Sequence, residues 1–335
     1  MRIHITYTGG TIGMIESDHG LVPGADMRGW LHRLLGESDE LSDGDVTLTE
    51  LDPLIDSSNA TPENWQSMID DLWAHRDEAD AFIVLHGTDT MSYSSAALSY
   101  ALTGFGKPVI FTGSQHPLGK IESDATANMT GALNAALSGR ATGVSLFFGH
   151  HLFAGNRVTK ASSWAFEGFN SPSTGMLACT GTPWQWESFD NPGEGWPNPK
   201  PYTRHDVAVI DTVPGMSAKR LAAMLNPLPE AVLLRAYGVG NIPSLEPGFA
   251  DVITDTLDSG VPVIVASQCE QANVLLGHYE TSNAIAQAGA VGTGDMTLEA
   301  AYAKVVFLLS QGLSSSELSA WMGRSIAGEI TLQHD

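Results

Sequence analysis

Short β-branched and aromatic runs alternate along the chain with longer stretches in which apolar residues recur every three to four positions. Residues 3–8, 81–85, 109–112 and 144–148 are short β-branched and aromatic runs, and they predict buried strands. Between them lie helical patterns. The clearest is 62–76, where Thr61 is a natural N-cap and Pro62 stands at the first helical position. Its Trp65, Met68, Ile69, Leu72 and Trp73 fall at i, i+3, i+4, i+7 and i+8, on one face of a helix. Residues 94–102 and 125–137 follow their strands in the same way. Strand–helix alternation of this kind predicts a parallel sheet with helices on both faces.

The alternation breaks at 184–205, where six prolines or glycines fall between Pro192 and Pro201. That stretch reads as a linker. It resumes with strands at 207–211, 232–237 and 261–267, again separated by helical patterns. The expected fold class is α/β with two domains. A larger N-terminal domain, 1–183, carries a mostly parallel sheet with helices on both faces. A smaller C-terminal domain, 206–335, carries a second parallel sheet.

Charge narrows the range of partners. The 335 residues hold 38 acidic and only 16 basic side chains, a formal charge of −22. That supply cannot build a basic patch of useful size, which argues against nucleic acid or an anionic membrane surface as partner. The longest apolar runs are four or five residues, far short of the roughly 20 that a membrane helix needs. The chain opens on a strand pattern where a signal peptide would need an apolar core. Its two cysteines, Cys179 and Cys269, exclude a disulfide scaffold or a Cys-based zinc site and fit a reducing compartment. A cytoplasmic protein is expected.

Three polar clusters each close a predicted strand: Thr8-Gly9-Gly10-Thr11-Ile12-Gly13, His86-Gly87-Thr88-Asp89-Thr90 and Thr112-Gly113-Ser114-Gln115. In a parallel sheet all three gather along the carboxyl edge, where open α/β folds hold ligands. The first cluster lacks both the G-x-G-x-x-G spacing and the Gly-Lys-Ser/Thr of a P-loop, so neither a dinucleotide nor ATP is indicated. It is either a turn alone or a hydroxyl set beside exposed backbone N–H groups, as a nucleophile beside an oxyanion hole requires. In the second, Asp89, Thr90 and Ser92 could cap the next helix. Alternatively, Thr88 and Asp89 offer a hydroxyl and a carboxylate at one strand end, and Asp89 could hold a cationic amine. His86 reads as a packed histidine rather than a base. Gly113-Ser114 could be only a turn. Among six lysines, Lys160 follows the 144–148 strand and is best placed to reach this edge as a proton acceptor. No Gly-x-Ser-x-Gly elbow occurs. His150-His151 would point to opposite faces of a strand, which suits a structural role better than a metal site. No metal is expected.

With these residues in view, the chain resembles the bacterial-type L-asparaginases, in particular the cytoplasmic type I branch. The resemblance rests on the first two clusters together, on 108–115, and on Asp56-Ser57-Ser58, Asn156-Arg157-Val158-Thr159-Lys160, Tyr237-Gly238-Val239-Gly240-Asn241 and Asp295-Met296-Thr297. It implies hydrolysis of L-asparagine to L-aspartate and ammonia, with Thr11 attacking the side-chain amide and forming an acyl-enzyme. Thr88, Asp89 and Lys160 would handle protons. Asp89 would hold the substrate α-amino group and Ser58 its α-carboxylate, with Asp56 and Ser57 lining the same loop. The backbone of Ser114 would meet the amide, and the region of Gly10, Gly87 and Thr88 would stabilise the oxyanion. No cofactor is needed for such chemistry. The resemblance also implies a homo-oligomer, a dimer or a pair of dimers. It further implies a second, regulatory asparagine site at Thr159, Arg235 and Ser267-Gln268-Cys269, with ion pairing as the alternative role of Arg235.

Two positions depart from the family pattern. The lid stretch Gly20-Leu21-Val22-Pro23 has leucine where a tyrosine is usual, and 121–125 replaces a more usual Arg-Ser-Asp-Gly. Two other readings stay open. One is a broader glutaminase-asparaginase, since one methylene is worth only about 1–3 kcal/mol of discrimination. The other is a non-catalytic amino-acid-binding protein that retains the pocket.

Overall fold

The computed structural model describes residues 1–17, 20–36, 41–187, 193–277 and 280–332. The chain divides into two compact units, Met1–Asp190 and Asn191–Asp335.

The N-terminal unit is built on an eight-stranded sheet. Its strands are β1 (Ile3–Gly9), β2 (Val46–Ile55), β3 (Ala81–Leu85), β4 (Val109–Thr112), β5 (Val144–Phe148), β6 (His151–Ala154), β7 (Ala178–Cys179) and β8 (Gln185–Trp186), in the order β8-β7-β6-β5-β4-β3-β1-β2. From β2 to β5 every pairing is parallel, and β6, β7 and β8 add on antiparallel at one edge. Every residue of β1, β3 and β4 is buried, as expected of strands covered on both faces. Within β1 the period-2 alternation sends Ile3, Ile5 and Tyr7 into the main core. His4 and Thr6 face the other way, to Asp71 of helix α2 (Pro62–Ala74), which follows α1 (Met27–Gly36).

Helix α2 starts as its sequence predicts, with a reciprocal Thr61–Asn64 capping box and Pro62 in the first turn. The next helix, Met91–Ala101, starts three residues before the periodicity suggested. It is buried nearly all round and rich in serine, so no polar face marks its first turn. The helix Ala125–Leu137 matches its expected bounds. The stretch read as a linker needs correcting at its start. Gln185–Trp186 form a sheet strand, and Trp184 stacks between Phe147 and Trp186 at 5.7 and 5.9 Å. Aromatic burial overrides the proline-glycine signal there.

The C-terminal unit carries four parallel strands in sequence order: β9 (Val207–Asp211), β10 (Ala231–Ala236), β11 (Val263–Ser267) and β12 (Val291–Gly292). Part of the expected linker also belongs to this unit's packing. Trp196 meets Phe307 edge-on at 5.4 Å, and Tyr202 is buried against the same ring. Among the described residues, no helix is long and apolar enough to cross a membrane.

Candidate active site

Glycines bring the three polar clusters into contact. Gly9 and Gly10 have φ of +121° and +89°, backbone geometry that L side chains rarely adopt. A Cβ on Gly10 would lie 2.4 Å from the Cα of Gly87, and one on Gly9 would lie 2.4 Å from the carbonyl oxygen of Ile55. A Cβ on Gly87 would strike the Ser57 hydroxyl at 2.4 Å, and one on Gly113 the His86 carbonyl at 2.3 Å. Four loops, each at the carboxyl end of a parallel strand, therefore abut with backbone against backbone. The co-location expected from topology is present.

Thr11 opens a short 3-10 turn, Thr11–Gly13, and is half-buried. Ile12 anchors the turn in the core, and its carbonyl accepts from the Leu118 N–H at 3.2 Å. Beneath lies the Tyr7 phenol, so close that Gly13 could carry no side chain. Burial, with Glu50 adding to it, pushes that phenol up to about 12, so it stays protonated. The Leu21 side chain lies outside the described residues.

Thr88 is buried and Asp89 exposed, although they are neighbours. Lys160 joins them: its Nζ donates to Thr88 Oγ1 at 2.8 Å and to Asp89 Oδ1 at 2.6 Å. Lys160 sits on a two-residue strand, Thr159–Lys160, paired antiparallel with Phe169–Asn170. Thr90 does not cap the helix that follows it. Asp89 is engaged by Lys160, and the Thr90 hydroxyl donates to the Ser57 carbonyl at 2.7 Å instead of capping its helix.

His86 is the packed histidine its apolar surroundings suggested. Nδ1–H donates to the Gly87 carbonyl at 2.7 Å, and Nε2 accepts from Ser94 Oγ at 3.0 Å, whose oxygen accepts in turn from Trp65 Nε1. Burial holds its pKa down at about 4, so the ring is neutral. In the 56–58 loop the Asp56 carboxylate accepts from the Ser58 N–H at 3.1 Å, Ser57 is buried and Ser58 exposed. Ser114 turns its hydroxyl inward, donating to the His116 carbonyl at 2.6 Å.

Sequence reasoning missed what holds that loop. The buried Asp124 carboxylate accepts from the backbone N–H of Gln115 and of His116 and from Asn128 Nδ2, all at 3.0–3.1 Å. Asn128 Nδ2 also donates to the Gly113 carbonyl at 2.9 Å. An acid at a helix start with an amide four residues on was the available signal; here the pair serves the neighbouring loop.

Of the residues expected to form a regulatory site, Thr159 belongs to the N-terminal unit and the other four to the C-terminal unit. Arg235, at the end of β10, pairs with Asp211 at 2.9 Å, and its Nε is buried without a hydrogen-bond partner. Gln268 Nε2 donates to the carbonyls of Thr212 and Arg235 at 2.6 and 2.9 Å, Ser267 Oγ donates to the Gly238 carbonyl at 2.6 Å, and the Cys269 N–H donates to Ser267 Oγ at 3.0 Å.

Comparison with known proteins agrees with this architecture. Residues 2–189 match the family model for the N-terminal domain of asparaginase, and residues 206–322 match that for the glutaminase/asparaginase C-terminal domain. The chain is 40% identical over 336 residues to L-asparaginase 1 of Escherichia coli, covering 98% of each. It superposes on L-asparaginase I from Vibrio cholerae with a TM-score of 0.88 at 38% identity, covering 99% of both chains. The thermostable L-asparaginase from Thermococcus kodakarensis gives a TM-score of 0.85 at 29% identity, covering 99% of this chain and all of that one.

Proposed function

As a member of the asparaginase family the chain is an L-asparaginase, and we propose that it works through a threonine acyl-enzyme formed on Thr11. The Thr11 hydroxyl attacks the side-chain amide carbon of L-asparagine, ammonia leaves, and a β-aspartyl ester to Thr11 remains. Water then cleaves the ester, releasing L-aspartate and restoring the hydroxyl. The observation that carries this reading is the Lys160 contact to both Thr88 and Asp89. Accepting from Lys160, the Thr88 oxygen keeps its own proton free to pass in a relay with the attacking water. Asp89, with its side chain 62% exposed, offers its carboxylate to the substrate α-ammonium. Ser58 takes the α-carboxylate, with Asp56 and Ser57 shaping the loop. The bare backbone at Gly10, Gly87 and Ser114 frames the amide, where N–H donors act on the developing oxyanion.

The same proposal extends to regulation, assembly and cytoplasmic location. Arg235, with Ser267-Gln268-Cys269, would take a second asparagine, the ligand carboxylate replacing Asp211 on the guanidinium. The buried, unpartnered Arg235 Nε supports it. A homo-oligomer suits the strongly exposed Trp164 in the loop after Lys160.

Ammonia release across a wide L-asparagine range tests this reading. Thr11→Ala should abolish turnover, and Lys160→Met should lower kcat by roughly 10²- to 10⁴-fold. A sigmoidal curve that becomes hyperbolic in Arg235→Met supports the regulatory site. Wild-type kcat in Thr11→Ala would refute the nucleophile, and stabilisation by L-asparagine without turnover would favour a binding protein.

A further inference from the structure

We propose that His4, Asp71 and His75 form a binding site for a zinc-class divalent ion, in the N-terminal unit and separate from the catalytic edge. Among the described residues, this is the one cluster in which at least three histidine, cysteine or carboxylate side chains bring their ligand atoms within 4.8 Å of one another. His4 Nε2 stands 3.0 Å from Asp71 Oδ2, and His75 Nδ1 stands 3.3 Å from Asp71 Oδ1. Tetrahedral bonds of about 2.0–2.2 Å set ligand atoms roughly 3.3–3.6 Å apart, so the His75 spacing falls in that range and the His4 spacing, at hydrogen-bond length, is a few tenths of an ångström short of it. Two imidazoles and a carboxylate are a donor set suited to zinc, with water completing the shell.

Outer contacts orient these groups as metal sites require. His4 Nδ1 shares a 2.8 Å hydrogen bond with the Thr47 hydroxyl. Against the carboxylate, Nε2–H donates to Asp71 Oδ2 and Nδ1 accepts from Thr47; an ion would take the other tautomer, with the proton on Nδ1 directed at the Thr47 oxygen and the Nε2 lone pair on the metal. The Thr6 hydroxyl donates to Asp71 Oδ2 at 2.5 Å and fixes the carboxylate. A carboxylate that needed only neutralising would be served by Thr6 and His4. The second imidazole, His75, lies on the open side: its side chain is 29% exposed, against 1% for His4 and 8% for Asp71. It therefore supplies both a third ligand and the route of entry.

One movement is required. The His4 and His75 rings stack at 3.8 Å with planes 12° apart, so a single ion cannot lie in both ring planes. His75 terminates α2 as its C-cap, where turning its side chain frees Nδ1 from the Asp71 carbonyl, 2.9 Å away, and lets the ring face the ion. His4 precedes Gly9 by five residues on one strand, roughly 16 Å, so the ion would tie α2 to β1 without touching substrate.

Full-length chain stripped with chelator should bind one equivalent of Zn²⁺ by titration calorimetry and gain thermal stability. Co²⁺ should give the intense visible d–d absorption of a tetrahedral site. His75→Ala, with folding checked by circular dichroism and unchanged asparaginase turnover, should lose the Co²⁺ spectrum and weaken Zn²⁺ binding at least 100-fold. Thr47→Val should weaken it by roughly 10- to 100-fold. Wild-type protein with neither saturable Zn²⁺ binding nor the Co²⁺ spectrum would overturn the proposal. So would a His75→Ala protein that binds as tightly as wild type, since the ion would then sit elsewhere. None of the metal readouts depends on which amide is hydrolysed.

Discussion

His86 shows how neighbours decide what a side chain is for. His86 has its two ring nitrogens satisfied by Gly87 and Ser94 in a fully buried pocket, so protonation would bury an unpaired charge. Its pKa is about 4 when folded against an ordinary 6.5 when unfolded. Between those values the unfolded chain binds the proton and the folded chain does not. Stability is therefore intact above pH 6.5 and declines as pH falls towards 4, by about 3 kcal/mol at 1.36 kcal/mol per unit. Urea unfolding of wild type and His86→Gln between pH 4 and 7 checks this, because the variant should lose that part of the slope. An equal slope in both proteins would assign the acid sensitivity to other groups. Thr88 and Asp89 make the companion case: adjacent in sequence, one buried and one exposed, they become a single unit only when Lys160, 71 residues further on than Asp89, reaches both.

At the scale of elements, helices and strands here serve chiefly to deliver loop backbone. Glycine-to-backbone contacts at Gly9, Gly10 and Gly113 leave no space for Cβ atoms, so strand ends rather than side chains set the spacing of the site. The C-terminal unit uses a different device. Lys304, in the buried helix Leu298–Ser310, pairs at 2.7 Å with Glu329 beyond the last helix, and both side chains are fully buried. Glu329 also accepts from the N–H groups of Ile326 and Ala327. Lys304→Met should cost about 3–5 kcal/mol by leaving that carboxylate without its counter-charge. Adding Glu329→Gln should recover part of the loss, because the amide oxygen still accepts while the buried charge is gone. Chemical unfolding of the single and double variants measures this, and a double variant no more stable than Lys304→Met would assign the role to hydrogen bonds rather than charge.

For the molecule as a whole, −22 is a large charge, and its self-repulsion opposes the folded state. Raising NaCl from 0.05 to 0.5 M should move the unfolding midpoint upward as screening shortens the range of repulsion; a flat response would mean that local pairs already offset it. The sequence by itself determined the α/β class, the parallel strands and the three strand-end clusters, because strand burial and turn chemistry are local properties written in hydrophobic period and glycine placement. Thr11, Thr88 and Asp89 were legible as candidates for the same reason, standing where short polar motifs end apolar runs, while the contact of Lys160 with the last two is tertiary. The extent of the linker was not, since proline and glycine mark turns without saying whether Trp184, Trp186 or Tyr202 will find an aromatic surface. Nor were the Asp124–Asn128 brace and the His4–Asp71–His75 cluster. Their partners lie on different elements, 67 residues apart for His4 and Asp71, and meet only when α2 packs on β1. Such groupings depend on which faces are pressed together, and tertiary packing alone decides that.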